Sequence, residues 1–384
     1  MINQEPSLFD KFVYIVISAF LLSLAYAEAL KSISLVLMLA LFVYALLSDK
    51  ASISRDGINT AIVLHMVFVI MGVWVGINPE ESLKQFSDVL KILLVFLFFR
   101  EIDLKFLNIE KILKPLIYGF IFALIVGMYL YYFQGMDFVK LRSVGSINRS
   151  AVYMVLILML LLPFAYRDEA PNIFWKLAVG LTVVGIVSAS SRMAMFSLPL
   201  LFLCFVYLKD SLRIKHILLV VLSVVFVAIV PELFPGTRLA SRFNQGFDDP
   251  ARMQLWEASI KYFFDSNPLL GIGVGNNMFI DLKTYYGPNA HYATLDNTHQ
   301  LYLDMLVERG ILGLTTFAVF IGLIMKNSHN NLKQHPIYIS VFLMSFAVLL
   351  MGLANITFRY EFGLLFVVAA GLSLNKSLKL NSRL

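Results

Sequence analysis

The feature that most constrains the fold of this chain is a succession of apolar runs, each close to 20 residues long. A helix of about 20 apolar residues crosses the hydrocarbon core of a bilayer. We place twelve such runs, at about 12–30, 32–48, 59–77, 85–99, 114–133, 150–166, 174–190, 193–208, 215–231, 310–326, 336–354 and 361–375. The run at 85–99 is the weakest of them, because it is short and contains Lys91.

The composition agrees with a membrane protein. Mean hydropathy is +0.79 and charged residues make up 15% of the chain, whereas soluble domains carry about 25% charged residues. The alternation typical of a membrane barrel is missing from the sequence, and helices satisfy their own backbone hydrogen bonds in lipid. The sequence therefore predicts an all-α fold, a polytopic transmembrane helical bundle of about twelve spans.

The distribution of Lys and Arg predicts the orientation of the bundle. With the N-terminus inside, the loops assigned to the cytoplasm hold about 17 basic residues and the opposite short loops about 8. We therefore expect both termini in the cytoplasm and the long 232–298 segment in the periplasm of a bacterium. The same rule explains the net charge of +6 without a nucleic-acid partner.

Three parts of the chain follow from this topology. Residues 1–231 form an N-terminal transmembrane bundle of about nine spans. Residues 232–309 form a periplasmic loop with interfacial helices and the candidate active site. Residues 310–384 form the C-terminal spans and a cytoplasmic tail.

The long polar loop contains a predicted helix at 251–264 and, after it, a glycine-rich stretch. The helix has an apolar face that includes Trp256, and it places Arg252 at the depth of lipid headgroups. The stretch at 267–277 has alternate glycines, which allow tight turns and close backbone approach. It is not a nucleotide-binding fingerprint, because no strand precedes it.

The chain returns to the membrane through a patterned segment. His299-Gln300 is followed by nine residues and then by Gly310-Ile311-Leu312-Gly313. A neutral imidazole at the mouth of a bundle could accept a proton from a sugar hydroxyl, although a histidine there could also be structural. Glu257 and Glu308 are acids that could orient it.

Several other ionisable residues lie at the membrane. Arg192, in the tight turn between the seventh and eighth spans, could bind phosphate or extend to lipid headgroups. The same two alternatives stay open for Arg142 and Arg149 in the 134–149 loop. Glu28 is expected to be an interfacial carboxylate, and His65 to be a hydrogen-bonded imidazole between helices.

Together, Arg252…Trp256, the 267–277 stretch and His299-Gln-x9-Gly310-x-x-Gly313 resemble the bacterial O-antigen ligase and polymerase superfamily, and the last pattern resembles its ligase branch. The resemblance implies a GT-C-like membrane architecture in the bacterial inner membrane with one large, partly helical periplasmic loop. Phe196 stands where such chains often have Leu.

The resemblance also implies substrates and roles. The donor would be a glycan on undecaprenyl diphosphate, and the acceptor a sugar hydroxyl of lipid A–core oligosaccharide. His299 would be the general base, and Arg192 and Arg252 would bind the diphosphate. The further substrate contacts would be His291, Arg142, Arg149 and Arg242.

We expect no metal and no cofactor, because two guanidinium groups could neutralise the diphosphate in place of a divalent ion. Direct attack by the hydroxyl would invert the anomeric configuration. A polymerase of lipid-linked repeat units and a protein O-oligosaccharyltransferase remain alternatives. A transporter would require internal repeats and broken helices with charges near the midplane, and the sequence shows neither.

Overall fold

The computed structural model describes residues 6–136, 138–167, 173–209, 213–214, 217–218, 221–222, 225, 229, 250–295 and 297–378. Over these residues the chain is helical, with no strand and two isolated β-bridges. The α-helices are α1 (Leu8–Ser23), α2 (Glu28–Leu47), α3 (Gly57–Val75), α4 (Pro79–Glu101), α5 (Ile109–Phe133), α6 (Ile147–Ala165), α7 (Ile173–Ala189), α8 (Arg192–Leu208), α9 (Pro250–Asp265), α10 (Lys283–Tyr286), α11 (Leu301–Asn330), α12 (Pro336–Met351) and α13 (Tyr360–Leu374). The all-α prediction is therefore confirmed for the described part of the chain.

Five of these helices, α2, α3, α5, α6 and α11, are long and apolar enough to cross a membrane, and α7, α8, α12 and α13 are shorter apolar helices. The structure thus fits a multi-pass helical membrane protein, while the number of twelve spans stays a prediction. The weakest predicted span, 85–99, lies within the longer helix α4. The predicted span at 215–231 lies mostly outside the described residues.

Polar side chains fix where the helices begin. Ser7 and Asp10 form a capping box at α1. Asp56 accepts hydrogen bonds from two backbone N–H groups at the start of α3, and Asn78 caps α4 directly before Pro79. These side chains satisfy N–H groups that have no partner inside the helix. Proline is suited to the first helical position, because its missing N–H would be unpaired there.

Helix α6 is the centre of the bundle. Every residue from Ser150 to Ala165 is buried, and α6 packs against α7, α8, α12 and α13. By contrast, outer helices expose large apolar side chains such as Leu47, Trp74 and Phe133. Such a contiguous apolar exterior is unusual for a soluble monomer and is typical of a surface that faces lipid.

Contacts between loops divide the bundle into two ends. At one end, the N–H of Ser143 donates to the carbonyl of Ala25 (3.3 Å), and the N–H of Leu301 donates to that of Gly352 (2.9 Å). We call this the long-loop end, because residues 250–300 lie there. The loops assigned to the periplasm from their charge meet at this end, so the grouping of loops agrees with the predicted topology.

Helix α11 is broken at Gly310, where the sequence predicted the start of a separate span. Gly310 has φ +64° and ψ −173°, a conformation outside the helical region, although helical residues lie on both sides of it. The expectation that the chain has no broken helix is therefore wrong at this position. The reason is that the residues around Gly310 keep a helical apolar pattern, which hides the break.

A glycine segment, residues 267–277, replaces the hydrogen bonds that the break removes. In an uninterrupted helix, Ile311 and Leu312 would donate to the carbonyls of Val307 and Glu308. Those two carbonyls instead accept from the N–H groups of Ile272 (3.0 Å) and Gly273 (3.0 Å).

The two N–H groups freed by the break are satisfied in the same way. Ile311 donates to the carbonyl of Pro268 (2.9 Å) and Leu312 to that of Leu269 (3.2 Å). Irregular backbone at membrane depth is tolerated only when its polar groups are paired. The glycine segment thus completes α11, and the N–H of Ile77 ties it to the outer end of α3 through the carbonyl of Ile272 (3.1 Å).

Substitutions at the two glycines where these backbones meet test this arrangement. An added Cβ would lie 2.2 Å from the carbonyl oxygen of Leu269 at Gly310, and 2.5 Å from the carbonyl carbon of Glu308 at Gly271. We expect Gly310→Ala and Gly271→Ala to cost about 1–2 kcal/mol for their positive φ and a further ~1–3 kcal/mol for overpacking. The measurement is the thermal unfolding midpoint of the purified protein in detergent.

Gly135→Ala is the matched control. Gly135 also has a positive φ, +69°, but an added Cβ would meet no heavy atom within 4 Å, so this variant should carry only the backbone cost. Equal losses for all three variants would contradict the close approach of the two segments.

Candidate active site

His299 lies at the start of α11 in an uncommon backbone conformation. Its φ is +51°, in the left-handed region that few residues other than glycine adopt. Its N–H donates to Oδ1 of Asn297 at 3.1 Å. Gln300 caps α11 by accepting from the N–H of Leu303 at 2.8 Å. The half-buried imidazole is therefore carried by a backbone whose shape the neighbouring side chains fix.

Helix α9 lies beside His299, and its bounds, Pro250–Asp265, confirm the helix predicted at 251–264. The indole Nε1 of Trp256 donates to the carbonyl of Thr298 at 2.9 Å. One turn earlier, Nη1 of Arg252 donates to the carbonyl of Ala354 at 3.3 Å. Trp256 and Arg252 therefore point to the same side of α9, towards the segment that carries His299.

The loop between α12 and α13 closes this arrangement. Its Gly352 carbonyl accepts from the N–H of Leu301, and its Ala354 carbonyl accepts from Arg252. The start of α11 and the start of α9 thus bind the same short loop. These contacts join the segments that carry two of the predicted site residues, Arg252 and His299.

Arg192 belongs to a second group at the same end. It is the first residue of α8 and is half-buried, directly after a tight turn in which Ser190 has φ +54°. Oγ of Ser191 donates to Oδ1 of Asn148 at 3.4 Å. This contact places the turn that carries Arg192 beside the first turn of α6, where Arg149 follows Asn148.

Arg149 rests on an aromatic ring. Its guanidinium carbon lies 4.1 Å from the ring centre of Tyr360, and its Nη2 donates to the hydroxyl of that tyrosine at 3.4 Å. Arg142, by contrast, is exposed, with its guanidinium carbon 5.6 Å from the ring centre of Tyr26. Arg149 is therefore the more strongly held of the two basic residues predicted in this loop.

The two remaining predicted contacts are less well placed. His291 is exposed, and its N–H donates to Oε1 of Gln254 on α9 at 3.0 Å. That bond holds the 289–291 turn against α9 without directing the imidazole at another candidate residue. Arg242 lies outside the described residues.

Glu308 belongs to a buried polar network. Its carboxylate accepts from Nη2 of Arg359 at 2.9 and 3.0 Å, from the N–H of Gly275 at 3.0 Å and from Nδ2 of Asn277 at 3.2 Å. Asn277 also donates to Asp304 at 3.0 Å. The network joins α11, the glycine segment and the start of α13, so it supports the outer part of α11 rather than orienting His299 by itself.

The charge of Arg359 is secured by its neighbours. Burial alone would lower the pKa of Arg359, but the carboxylates of Glu308 and Asp304 outweigh it and raise the pKa above its ordinary value. The side chains of both acids are almost completely buried. The guanidinium of Arg359 therefore compensates the negative charge of these carboxylates, whose burial without a cation would cost free energy.

The other acid considered for His299, Glu257, is engaged elsewhere. It accepts from Nζ of Lys261 at 2.7 Å and from the hydroxyl of Tyr286 at 3.0 Å. Hydrogen bonds from Lys261 and Tyr286 lower the pKa of Glu257. Desolvation and Glu257 raise the pKa of Tyr286 to about 12. Glu257 therefore joins α9 to α10.

Arg309 and His65 form a buried pair between α11 and α3. Nη1 of Arg309 lies 3.2 Å from Nε2 of His65. A guanidinium has only donors, so Nε2 must be the acceptor, and Nδ1 carries the proton. Nδ1 lies 3.0 Å from Oγ1 of Thr316 and 3.2 Å from the carbonyl of Gly313. The prediction of a hydrogen-bonded imidazole between helices is confirmed.

Sequence reasoning missed the importance of Arg309 and Arg359. In the sequence, Arg359 is one of the basic residues in the short loops opposite the cytoplasmic side, and Arg309 lies within the nine residues between Gln300 and Gly310. A signal was present for Arg309, because an arginine inside an apolar helix is costly unless it is paired. Its partner, His65, is far away in sequence and could not be identified without the fold.

The network around Glu308 predicts a specific pattern of stability. We expect Arg359→Gln to cost about 3–5 kcal/mol, because it leaves buried carboxylate charge without its cation. The double variant Arg359→Gln/Glu308→Gln should recover part of this loss, because it removes one of the stranded charges. The measurement is the thermal unfolding midpoint in detergent.

Arg142→Gln is the control for that experiment, because the same replacement at an exposed arginine should change the midpoint little. A double variant less stable than Arg359→Gln alone would show that the pair does not behave as a buried ion pair.

Comparison with known families supports the resemblance seen in the motifs. Residues 177–318 match the family model described as O-antigen ligase. The match covers α7, α8, α9, the glycine segment and the broken part of α11, and so includes Arg192, Arg252 and His299. No curated protein matches the chain. Members of this family are glycosyltransferase-like enzymes of ligase or polymerase type, and the match over residues 177–318 supports a relation of the chain to the O-antigen ligase/polymerase superfamily.

Proposed function

We propose that the protein is an O-antigen ligase of the bacterial inner membrane. It transfers a glycan from undecaprenyl diphosphate to a sugar hydroxyl of lipid A–core oligosaccharide, at the periplasmic face. His299 acts as the general base, and Arg192 and Arg252 bind the diphosphate. His291, Arg142, Arg149 and Arg242 are further candidate contacts for the two substrates.

The observation that carries this proposal is the position of α9 beside His299. Trp256 bonds the residue directly before His299, and Arg252 lies one turn away on the same side of the helix. The cation of Arg252 and the half-buried imidazole of His299 are therefore carried by adjoining segments at the long-loop end, which supports the proposal. A phosphate bound by Arg252 would lie one helical turn from Trp256, which bonds the residue directly before His299.

The reaction needs few protein groups. The acceptor oxygen attacks the anomeric carbon, and its proton passes to the imidazole of His299. The bond between the anomeric carbon and the phosphate oxygen breaks, and the diphosphate leaves with the electron pair. Guanidinium groups stabilise that developing charge through paired hydrogen bonds to the phosphate oxygens. One direct displacement inverts the anomeric configuration.

A polymerase that joins lipid-linked repeat units is the second candidate, and one observation favours it. Asn148 bonds Ser191, so Arg149 and Arg192 come from two loops that meet at the same end of the bundle. Two arginine-bearing loops could hold two lipid-linked substrates, as a polymerase requires. A protein O-oligosaccharyltransferase would use the same donor chemistry with a protein hydroxyl as acceptor.

A transfer assay with purified protein, lipid-linked glycan and rough lipopolysaccharide tests the proposed roles. We expect His299→Ala to lower the rate by roughly 10²–10⁴-fold, because it removes the base. His329→Ala is the matched control, since His329 lies in the last turn of the same helix, at the opposite end of the bundle. Activity of His299→Ala equal to that of the control would refute the role of His299.

The same assay tests the expectation that no metal takes part. Because arginines are proposed to neutralise the diphosphate, we expect EDTA to leave the rate unchanged. Arg252→Lys should reduce it, since a lysine keeps the charge but loses the paired geometry. A rate abolished by EDTA and restored by a divalent cation would contradict the metal-independent mechanism.

A deletion strain separates the ligase from the polymerase. A ligase deletion should leave lipid A–core uncapped while lipid-linked polymer accumulates. Cores that carry a single repeat unit would instead indicate a polymerase, and fully capped lipopolysaccharide would rule out both. The readout is the electrophoretic ladder of extracted lipopolysaccharide.

A further inference from the structure

A groove of about 680 Å³ runs between α2 and α4; His299, Arg192 and Arg252 do not line it, but Arg149 does. Its rim, at the long-loop end, is lined by charged side chains, namely Glu28, Lys31, Asp88, Lys91, Arg149 and Glu361. Deeper in the bundle its walls are apolar and include Leu35, Leu39, Phe42 and Phe98. The groove is therefore amphipathic along its length, as the site of a lipid would be.

The length of the groove agrees with one leaflet of a bilayer. Eleven residues of α2 separate Lys31 at the rim from Phe42 at the apolar end, which corresponds to about 16 Å of helix. The hydrocarbon core of a bilayer is about 30 Å thick. A chain that follows the groove from the rim would therefore stay within the leaflet next to the long-loop end.

Most of the charge at the rim is already compensated. Nζ of Lys31 bonds Glu28 at 2.7 Å and also bonds Glu361, and Lys91 bonds Asp88 at 2.8 Å. Within the described part of the chain, Arg149 makes no ion pair. Its contacts there are the ring and hydroxyl of Tyr360.

The position of Arg149 suits a phosphate. The ring of Tyr360 supports one face of the guanidinium, and a stacked guanidinium can still donate hydrogen bonds in its own plane. Planar, paired donors match phosphate oxygens. The guanidinium of Arg149 is therefore held in place at the rim, and no acid among the described residues forms an ion pair with it, so it is available to bind an anion.

We propose that this groove binds the hydrocarbon chain of a polyprenyl diphosphate lipid, with a phosphate at Arg149. The volume lies within the range of about 300–1,000 Å³ that binding sites for single small molecules occupy. It suits part of one chain rather than the several acyl chains of a lipid A anchor. The inference rests on the proposed function for the identity of the lipid.

The groove is connected to the candidate active site through neighbouring residues. Asn148, directly before Arg149, bonds Ser191, and Arg192 follows in the same turn. A diphosphate at Arg149 would therefore lie next to the turn that carries Arg192. The groove would bind the hydrocarbon chain, and Arg192 in this turn would supply a second cation for the diphosphate head group.

A matched pair of substitutions on α2 tests the chain-binding part. Leu39 lines the groove and Leu37 does not, although the two leucines are 43% and 38% exposed. We expect Leu39→Trp to weaken binding of undecaprenyl diphosphate to the purified full-length protein by about tenfold or more, because the indole fills the groove. Leu37→Trp should stay within about twofold of the wild type.

Three further measurements make the result specific. Leu39→Ala widens the groove and should retain binding. This result would show that Leu39→Trp acts by filling the groove and not by disturbing the fold. Arg149→Gln should weaken binding of undecaprenyl diphosphate by about tenfold or more, which is the usual effect of losing a charged hydrogen bond. Inorganic pyrophosphate, which has no chain, should bind Leu39→Trp as it binds the wild type. Binding is measured by native mass spectrometry with titrated ligand.

Two binding results would overturn the proposal: wild-type affinity of Leu39→Trp for undecaprenyl diphosphate, or equal displacement of this lipid by phosphatidylglycerol. The proposed function can fail separately. Groove-dependent binding without any glycan transfer would refute the ligase and keep the lipid site. Normal transfer by Leu39→Trp, with an unchanged KM for the lipid-linked donor, would refute the lipid site and keep the ligase.

Discussion

The structure depends on an exchange of backbone hydrogen bonds at the break in α11. Two carbonyls before Gly310 and two N–H groups after it find their partners in residues 268–273 of the glycine segment. An unpaired backbone group in an apolar environment costs several kcal/mol. Neither element could therefore keep its shape at this depth without the other, and glycine is required where the two backbones touch.

This exchange organises the polar half of the bundle. It fixes the positions of Glu308, which bonds Arg359, and of Arg309, which bonds His65. The carbonyl of Ile272 ties the same segment to the loop before α4. The part of α11 before Gly310, about two and a half turns, is thus held by contacts to α3, to the start of α13 and to the glycine segment, and His299 lies just before it. The candidate base is therefore attached to a helical segment that hydrogen bonds and buried ion pairs hold in place.

The sequence predicted the helices and the glycine segment better than the contacts between them. The all-α fold, the helix at 251–264 and the close backbone approach of the glycine segment all follow from local patterns, and the structure agrees. The break at Gly310 did not follow, because its hydrogen-bond partners lie about 40 residues earlier in the chain. The buried pairs of Arg309 and Arg359 were missed for the same reason. Arg242 and most of the 215–231 span lie outside the described residues, so those predictions stay open.

The account rests on a donor diphosphate held by arginines beside a histidine, and a structure with the lipid bound tests that most directly. The measurement is a cryo-EM structure of the purified protein with undecaprenyl diphosphate. We expect the phosphates within hydrogen-bonding distance of Arg192 and Arg252, with the imidazole of His299 facing the terminal phosphate. Phosphates bound away from both arginines, with His299 directed at the bilayer, would contradict the account.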